Sequence, residues 1–422
     1  MKIKQKRTSY HYAISRKKPT HKRPKKPSFL FRTIIRAAAI PDLIATRFRF
    51  TKSRMQEAGK GPYLILMNHS SFIDLEIVSK IFYPKPYCII CTSDGFVGKN
   101  WLMRQIGCIP TPKFVTDIGL VRDMLYTVNK LKTSILMYPE ASYSFDGCAT
   151  PLPRHLGALL KKMNVPVLTI MTDGAFLRDP LYNGLQKRKV KVSAHLHCLF
   201  TKQDLQEKSI EELDALLDNA FTFDNFAKQK QNGVTINAPF RADGLHRILY
   251  RCPHCDAEGK TEGKGTTLTC HACGKVYEMD IYGQLTATDG DTAFSHIPDW
   301  YNWERTCVHE EIQNNTYALD TAVDIGILSD YKAIYMVGEG RLTHNANGFT
   351  LSGCDGDLHY TQSPKSCYGL YADYYWYEIG DVICIGNKER LYYCFPKKDA
   401  IVAKARLAAE EMYKLQHHAA NT

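Results

Sequence analysis

His69 and Asp74 are the two residues whose types and spacing point most directly to chemistry in this chain. A neutral imidazole can take the proton of an alcohol that attacks a thioester, provided that a carboxylate fixes the tautomer of the ring and stabilises the imidazolium. Side chains five residues apart diverge on one continuous helix, so this pair meets easily only where the backbone changes type. The sequence predicts that change, because an apolar strand pattern at 63–67 precedes a helical pattern at 72–82.

The same residues also fit a helix cap. Ser71 and Asp74 have the spacing of a capping box, in which the acid only accepts a hydrogen bond from a backbone N–H. His69 would then be an ordinary histidine at the end of a strand. These residues alone leave both interpretations open.

Three further blocks follow this segment. With the first they read Asn68-His-Ser-Ser-Phe-Ile-Asp74, Ile106-Gly-Cys-Ile-Pro-Thr-Pro-Lys113, Tyr138-Pro-Glu-Ala-Ser-Tyr-Ser144 and Val165-Pro-Val-Leu-Thr-Ile170. In this order the blocks resemble the signatures of the glycerophospholipid (1-acyl-sn-glycerol-3-phosphate) acyltransferase family. The resemblance implies an O-acyltransferase of phospholipid biosynthesis that moves a fatty acyl group from acyl-CoA or an acyl carrier protein to the hydroxyl of a lysophospholipid.

The resemblance also implies the roles of the first block. His69 would be the general base, Asp74 would orient it, and no catalytic cofactor would take part. We expect backbone N–H groups at the start of the helix after Ser71 to stabilise the oxyanion.

The acceptor-binding positions differ from the usual family pattern. The resemblance implies acceptor binding by Lys113 of the second block, and by Glu140, Ala141, Ser142 and Tyr143 of the third. The family usually has an arginine in the second block and Glu-Gly-Thr-Arg in the third. Lysine offers a point charge and tyrosine one hydroxyl, whereas arginine binds phosphate bidentately. Another lipid or a sugar alcohol is therefore an alternative acceptor, and surface roles for Lys113 and Tyr143 stay open.

Four cysteines have the spacing of a metal site. Two C-x2-C pairs, separated by 14 residues, are formed by Cys252, Cys255, Cys270 and Cys273. This pattern is typical of a zinc ribbon, in which four thiolates hold one structural Zn²⁺. His254 or His271 is the alternative for one of the ligands.

Composition limits the class of protein. The chain has 422 residues with 44% hydrophobic content, enough for two or three domains with real cores. It has no apolar run of about 18 residues and no secretory signal pattern. We therefore expect a cytoplasmic protein, peripheral on the inner face of a membrane.

Positive charge is concentrated at the start of the chain. Residues 1–41 contain 13 Lys or Arg and no acid, which accounts for the whole formal net charge of +12. We predict a disordered basic arm at 1–27 and an amphipathic interfacial helix at 28–41, ended by Pro41. Such an arm suits an anionic membrane surface. The rival interpretation is a nucleic-acid or protein-binding factor that uses the arm and the ribbon beside an inactive acyltransferase-like domain.

The sequence predicts an α/β fold with three further regions after the acyltransferase-like segment. Strand patterns alternate with helical patterns between residues 42 and 205, which predicts βαβ units with a mixed sheet. The predicted organisation is an acyltransferase-like domain at 42–205, a helical connector at 206–244, a small zinc ribbon at 245–287 and a β-rich domain closed by a C-terminal helix at 288–422. For the β-rich domain we expect a supporting role.

Overall fold

The computed structural model describes residues 2–112, 117–366, 368–397 and 401–418. The chain begins with one strand and three helices, which are β1 Gln5–Arg7, α1 Tyr10–Ser15, α2 Phe29–Ala38 and α3 Ile40–Ala45.

A seven-stranded mixed sheet follows, with helices between its strands. Its elements are β2 Arg49–Ser53, β3 Leu64–Met67, α4 Asp74–Phe82, β4 Tyr87–Thr92, α5 Asn100–Gln105, β5 Cys108–Thr111, α6 Ile118–Asn129, β6 Ser134–Met137, α7 Leu156–Met163, β7 Val167–Asp173, α8 Ala175–Arg178 and β8 Ser193–Phe200. The strand order is β2-β8-β7-β3-β6-β4-β5, and β7 runs antiparallel to β8 while the other neighbours are parallel. The predicted α/β class with a mixed sheet is confirmed.

Strand β3 lies at the centre of this sheet. All four of its residues are buried, as expected for a strand covered on both faces. Because side chains alternate along a strand, Ile65 and Met67 enter one apolar core while Leu64 and Leu66 enter the other. The end of β3 is thereby fixed from both sides, and His69 follows two residues later.

Three helices connect the sheet to a small antiparallel sheet. The helices are α9 Lys202–Glu207, α10 Ile210–Ala220 and α11 Asn225–Gln231. The strands are β9 Thr261–Lys264, β10 Thr267–Cys270, β11 Val276–Met279 and β12 Leu285–Ala287, in the order β12-β11-β10-β9. This second sheet carries the C-x2-C pairs.

The last region is an eight-stranded sheet flanked by two long helices. Its elements are α12 Ile297–Gln313, β13 Leu319–Leu328, β14 Ile334–Asn345, β15 Gly348–Gly353, β16 Leu358–Gln362, β17 Tyr371–Trp376, β18 Gly380–Gly386, β19 Leu391–Pro396 and α13 Ile401–His418. Seven strands follow the order β16-β15-β14-β13-β19-β18-β17, and β1 pairs with β14. The predicted terminal helix is present.

Helix α12 differs from the β-rich prediction for its region. Its aromatic residues favour strands by propensity, yet Trp300 and Tyr301 lie on its buried face with Glu304 and Val308. Pro298 stands in the first turn, where proline fits a helix. Burial of this face against the core overrides local propensity.

The basic arm also differs from its prediction. The segment 1–27 is ordered over its described residues, with β1 parallel to β14. Ile3 and Ala13 are buried in the cores of the C-terminal sheet, and Arg16 forms an ion pair of 3.0 Å with Asp330. The arm has few apolar residues, but Ile3 and Ala13 find partners that only the folded chain supplies.

The interfacial helix predicted at 28–41 is two helices. Pro41 lies in the first turn of α3, where a backbone N–H would have no partner within the helix, so proline is tolerated there. It therefore stands at the start of a helix instead of ending one. Three apolar side chains of α2 are exposed: Phe29 by 60%, Leu30 by 62% and Ile34 by 50%. Within the described ranges, no helix is both long and apolar enough to cross a membrane.

One apolar core joins the later regions. It contains Leu268 and Tyr277 of the small sheet, Trp300 of α12, and Leu407 of α13. Phe145, which follows the third sequence block, belongs to the same core. The segment that carries the candidate site therefore packs directly against the C-terminal elements.

Candidate active site

The imidazole of His69 contacts the carboxylate of Asp74. His69 Nδ1 lies 3.0 Å from Asp74 Oδ2. The chain leaves β3, turns through Ser70 and Ser71, and enters α4 at Asp74, so the predicted change of backbone type brings the two side chains together. The His69 side chain is 18% exposed and that of Asp74 is 1% exposed.

The helix-cap interpretation describes a second set of real contacts. Asp74 Oδ2 also accepts hydrogen bonds from the backbone N–H groups of Ser70, at 2.9 Å, and Ser71, at 3.2 Å. The Ile73 N–H donates to Ser71 Oγ. One carboxylate oxygen thus fixes the turn and contacts the imidazole. The N–H groups of Ser70, Ser71 and Ile73 are used inside the turn, and the oxyanion stabiliser expected at the start of the helix after Ser71 stays a prediction.

Burial changes the acidity of Asp74. It raises the pKa of Asp74 to about 7, and the N–H groups of Ser70 and Ser71 oppose the shift by stabilising the carboxylate. The other oxygen, Oδ1, is buried without a hydrogen-bond partner among the described residues. The charge of Asp74 therefore changes in the range in which an imidazole also titrates.

The imidazole of His69 lies between two tyrosine rings. Its ring centroid is 4.0 Å from that of Tyr138 and 3.9 Å from that of Tyr143, and both pairs are stacked. Because both faces are covered and Nδ1 faces Asp74, a reactant has to approach the Nε2 edge. Aromatic faces also attract a cation, so the two rings favour the imidazolium.

Glu140 holds the backbone of His69 by a hydrogen bond. Its Oε2 accepts the backbone N–H of His69 at 3.0 Å, and its Oε1 accepts the N–H and the hydroxyl of Thr150 at 3.0 and 3.2 Å. Glu140 is 1% exposed, and burial raises its pKa to about 7. Both carboxylate oxygens thus accept hydrogen bonds from the protein, and the acceptor contact expected of Glu140 stays a prediction.

Comparison with known proteins identifies the segment that carries this geometry. Residues 47–173 match the family model described as Acyltransferase. These residues form an acyltransferase domain. The resemblance of the four blocks is thereby confirmed.

Two known proteins are similar to part of this chain. The 1-acyl-sn-glycerol-3-phosphate acyltransferase of Saccharomyces cerevisiae is 24% identical over 173 residues, which are 39% of this chain and 55% of that protein. The match thus spans about half the length of that relative. The solved 1-acyl-sn-glycerophosphate (LPA) acyltransferase PlsC of Thermotoga maritima aligns at 17% identity with a TM-score of 0.36, over 45% of this chain and 76% of that one.

The third-block loop of the acyltransferase domain is held by a residue outside it. Arg406, in α13, donates from Nη2 to Ser142 Oγ at 3.1 Å and from Nη1 to the backbone carbonyl of Tyr143 at 3.2 Å. Ala141 has a φ of +57°, in the left-handed region where glycine is favoured. Ser142 is 2% exposed and its hydroxyl has this internal donor, while its expected acceptor contact stays a prediction. Sequence reasoning missed Arg406, because it lies in another region of the chain.

A second buried acid supports the turn of the acyltransferase domain. Ser71 Oγ donates to Asp179 Oδ1, and Arg178 Nη1 donates to Asp179 Oδ2 at 2.8 Å. Burial raises the pKa of Asp179 to about 6. Asn68 Oδ1 accepts the N–H of Thr172 at 2.9 Å, which ties the strand end to β7.

The predicted acceptor residue Lys113 lies outside the described residues.

The four cysteines form a group that can hold a metal ion. The sulfur atoms of Cys252, Cys255, Cys270 and Cys273 all lie within 4.8 Å of one another. Cys252 is 3.8 Å from Cys273, and Cys255 is 3.7 Å from Cys270. His271 instead pairs with Glu262 at 2.8 Å, which leaves the four thiols as the candidate ligands.

Proposed function

We propose that this protein is an O-acyltransferase that moves a fatty acyl group from a thioester donor to the hydroxyl of a lysophospholipid such as 1-acyl-glycerol-3-phosphate. The observation that carries the proposal is the 3.0 Å contact of His69 and Asp74 inside the acyltransferase domain. The donor is acyl-CoA or an acyl carrier protein.

The proposed reaction uses His69 as general base. Asp74 accepts the Nδ1–H, which leaves the lone pair on Nε2 for the proton of the acceptor hydroxyl. The hydroxyl oxygen attacks the thioester carbonyl, and the tetrahedral intermediate expels the thiolate. His69 returns its proton to the thiolate, so that the products are the ester and the free thiol. Stacking on Tyr138 and Tyr143 stabilises the imidazolium between the two proton transfers.

On the acceptor side, we propose contact through Tyr143 and Lys113. The polar atoms of Glu140 and Ser142 form hydrogen bonds within the protein, so we propose that these two residues maintain the shape of the loop. The Tyr143 side chain stands against the catalytic ring, where an acceptor has to arrive.

We propose that the protein works on an anionic membrane surface. Lys and Arg side chains are exposed along the arm, and Phe29, Leu30 and Ile34 project from the helix that follows it. Basic and apolar groups in this order suit the interface between lipid headgroups and acyl chains.

We propose that the cysteine group holds a structural Zn²⁺. Four thiolates at a Zn–S distance of about 2.3 Å in a tetrahedron would be about 3.8 Å apart. The two sulfur separations of 3.7 and 3.8 Å fit this geometry. Such a closed site has no open position for a substrate, so the ion would stabilise the fold.

The purified full chain tests the proposed activity. Acyl-CoA and, separately, acyl carrier protein thioesters are supplied with a panel of lysolipid acceptors, and mass spectrometry measures the acylated product and the free thiol. We expect product from the wild type and none from His69→Ala with unchanged thermal unfolding. Equal product from His69→Ala would contradict the mechanism. Salt-sensitive nucleic-acid binding without product would favour the rival binding factor.

A further inference from the structure

The guanidinium of Arg406 lies outside the acyltransferase domain and contacts the third-block loop. It is 4% exposed and lies over the ring of Phe145, 4.2 Å from its centroid. Its Nε donates to Glu410 Oε1 at 3.1 Å, while Nη1 and Nη2 hold Tyr143 and Ser142. One planar guanidinium thus contacts four residues, which are Ser142, Tyr143, Phe145 and Glu410.

The loop that Arg406 holds forms part of the wall around His69. The ring of Tyr143 stacks on the imidazole, and the Ser144 N–H donates to the His69 carbonyl at 3.4 Å. Glu140, at the start of the loop, accepts the His69 N–H. A shift of the Tyr143 backbone would therefore move the ring that covers His69.

We propose that Arg406 is a positioning residue for acyl transfer, which rests on the function proposed above. Its side chain fixes the hydroxyl of Ser142 and the backbone carbonyl of Tyr143, so that the Tyr143 ring keeps His69 aligned with Asp74. It touches no reacting atom. The C-terminal helix is then a working part of the active site and not only a support for the fold.

Only arginine suits this position. Its fork of donors reaches two loop groups and a carboxylate in one plane, whereas lysine offers a single point charge. Removal of the guanidinium would leave the buried hydroxyl of Ser142 and the carbonyl of Tyr143 without their donor.

Arg305 offers a matched control. It is a half-buried arginine of α12 that donates to the same residue, Glu410, at 2.8 Å, and to Glu411 at 3.0 Å. Its described hydrogen bonds go to these two residues. Arg406→Met and Arg305→Met each leave Glu410 with one arginine, so both variants disturb the same ion-pair network. Only the first variant also frees the loop.

The experiment compares both variants with the wild type in the full chain. We expect Arg406→Met to lower kcat by about 100-fold with little change in KM for the acyl donor, as a displacement near 1 Å in a catalytic group can do. Arg305→Met should stay within a few-fold of the wild type at a similar Tm. Hydrogen exchange over residues 138–150 should accelerate in Arg406→Met alone.

Equal losses in both variants, or none in either, would overturn the proposal. If Arg406→Met does not fold, Arg406→Lys and Arg305→Lys replace the pair, and the same contrast is expected. If the wild type has no transferase activity, the proposed function fails on its own. The exchange comparison then still decides whether Arg406 holds the loop.

Discussion

The ring of Tyr143 lies 3.9 Å from the imidazole of His69, at an interplanar angle of 28°. Stacking places a negative ring face beside the group that becomes a cation during the reaction. Tyr143 therefore has a role through its ring that is separate from the hydroxyl contact expected of it as an acceptor ligand.

Two variants of Tyr143 separate these roles. We expect Tyr143→Phe to keep kcat, because the ring is retained, and to raise the acceptor KM, because the proposed hydroxyl contact is lost. Tyr143→Leu should also lower kcat by about 10-fold, since a cation near an aromatic face gains about 1 to 2 kcal/mol. Steady-state kinetics with a varied acceptor measures both. An equal loss of kcat in Tyr143→Phe would contradict the role of the ring.

Activity should rise with pH through neutrality. Burial raises the pKa of Asp74 to about 7, and the carboxylate must be ionised to accept the Nδ1–H of His69. Protonation of Asp74 below that pH removes the acceptor, so kcat/KM falls as pH falls. Asp74→Asn should lose activity by on the order of 10⁴-fold, because the wrong tautomer is then favoured.

Glu76 is the control for this pH dependence. Burial also raises its pKa to about 7, and it lies on the same helix, but the charges that act on it are those of Asp42, Arg178, Lys187 and Asp179. Glu76→Gln should leave the pH profile of kcat/KM unchanged. A wild-type profile that is flat across neutral pH would contradict the role of Asp74.

Glu140→Gln should lower both stability and activity. The amide group presents N–H to one of the donors that Glu140 now accepts, from His69 or from Thr150. An unsatisfied buried donor costs about 1–3 kcal/mol. Urea unfolding of both proteins at the same pH measures the loss. The exposed Glu207→Gln is the control, and an equal loss there would argue against a specific role.

The metal group can be tested by one pair of cysteine variants. Cys270→Ser should lower the metal content and the Tm, because β10 carries both this ligand and Leu268 of the shared core. Cys307→Ser, in α12 and outside the group, should change neither. Elemental analysis and thermal unfolding give the two readouts. Unchanged metal content in Cys270→Ser would remove the zinc proposal.

Membrane binding should depend on the apolar face of α2. Leu30→Glu places a charge at an exposed position beside the basic arm, and flotation with anionic vesicles should fall. Leu216→Glu, at another exposed leucine, is the matched control. Vesicles without anionic lipid should bind the wild type weakly. Equal flotation of both variants would place the contact elsewhere.

The sequence predicts those features that depend on residues close to one another in the chain. The cysteine spacing and the pairing of His69 with Asp74 are both local, and both groups come together in the structure. The buried strands that surround His69 are read from apolar runs in the same way.

Contacts between distant segments could not be predicted in this way. Arg406 has no local signal for its role, since its partners Ser142 and Tyr143 lie in another region. The internal use of Glu140 depends on Thr150, across a turn whose shape the sequence does not specify. The aromatic content of α12 favours strands until its buried face is known.

The pairing of β1 with β14 has a consequence for synthesis of the chain. Strand β1 ends at Arg7 and β14 begins at Ile334, so this contact forms only after the ribosome has made both segments. Contacts between segments so far apart in sequence form slowly. Until then β1 lacks this partner strand, and the positive charge and few apolar residues of the arm oppose its aggregation.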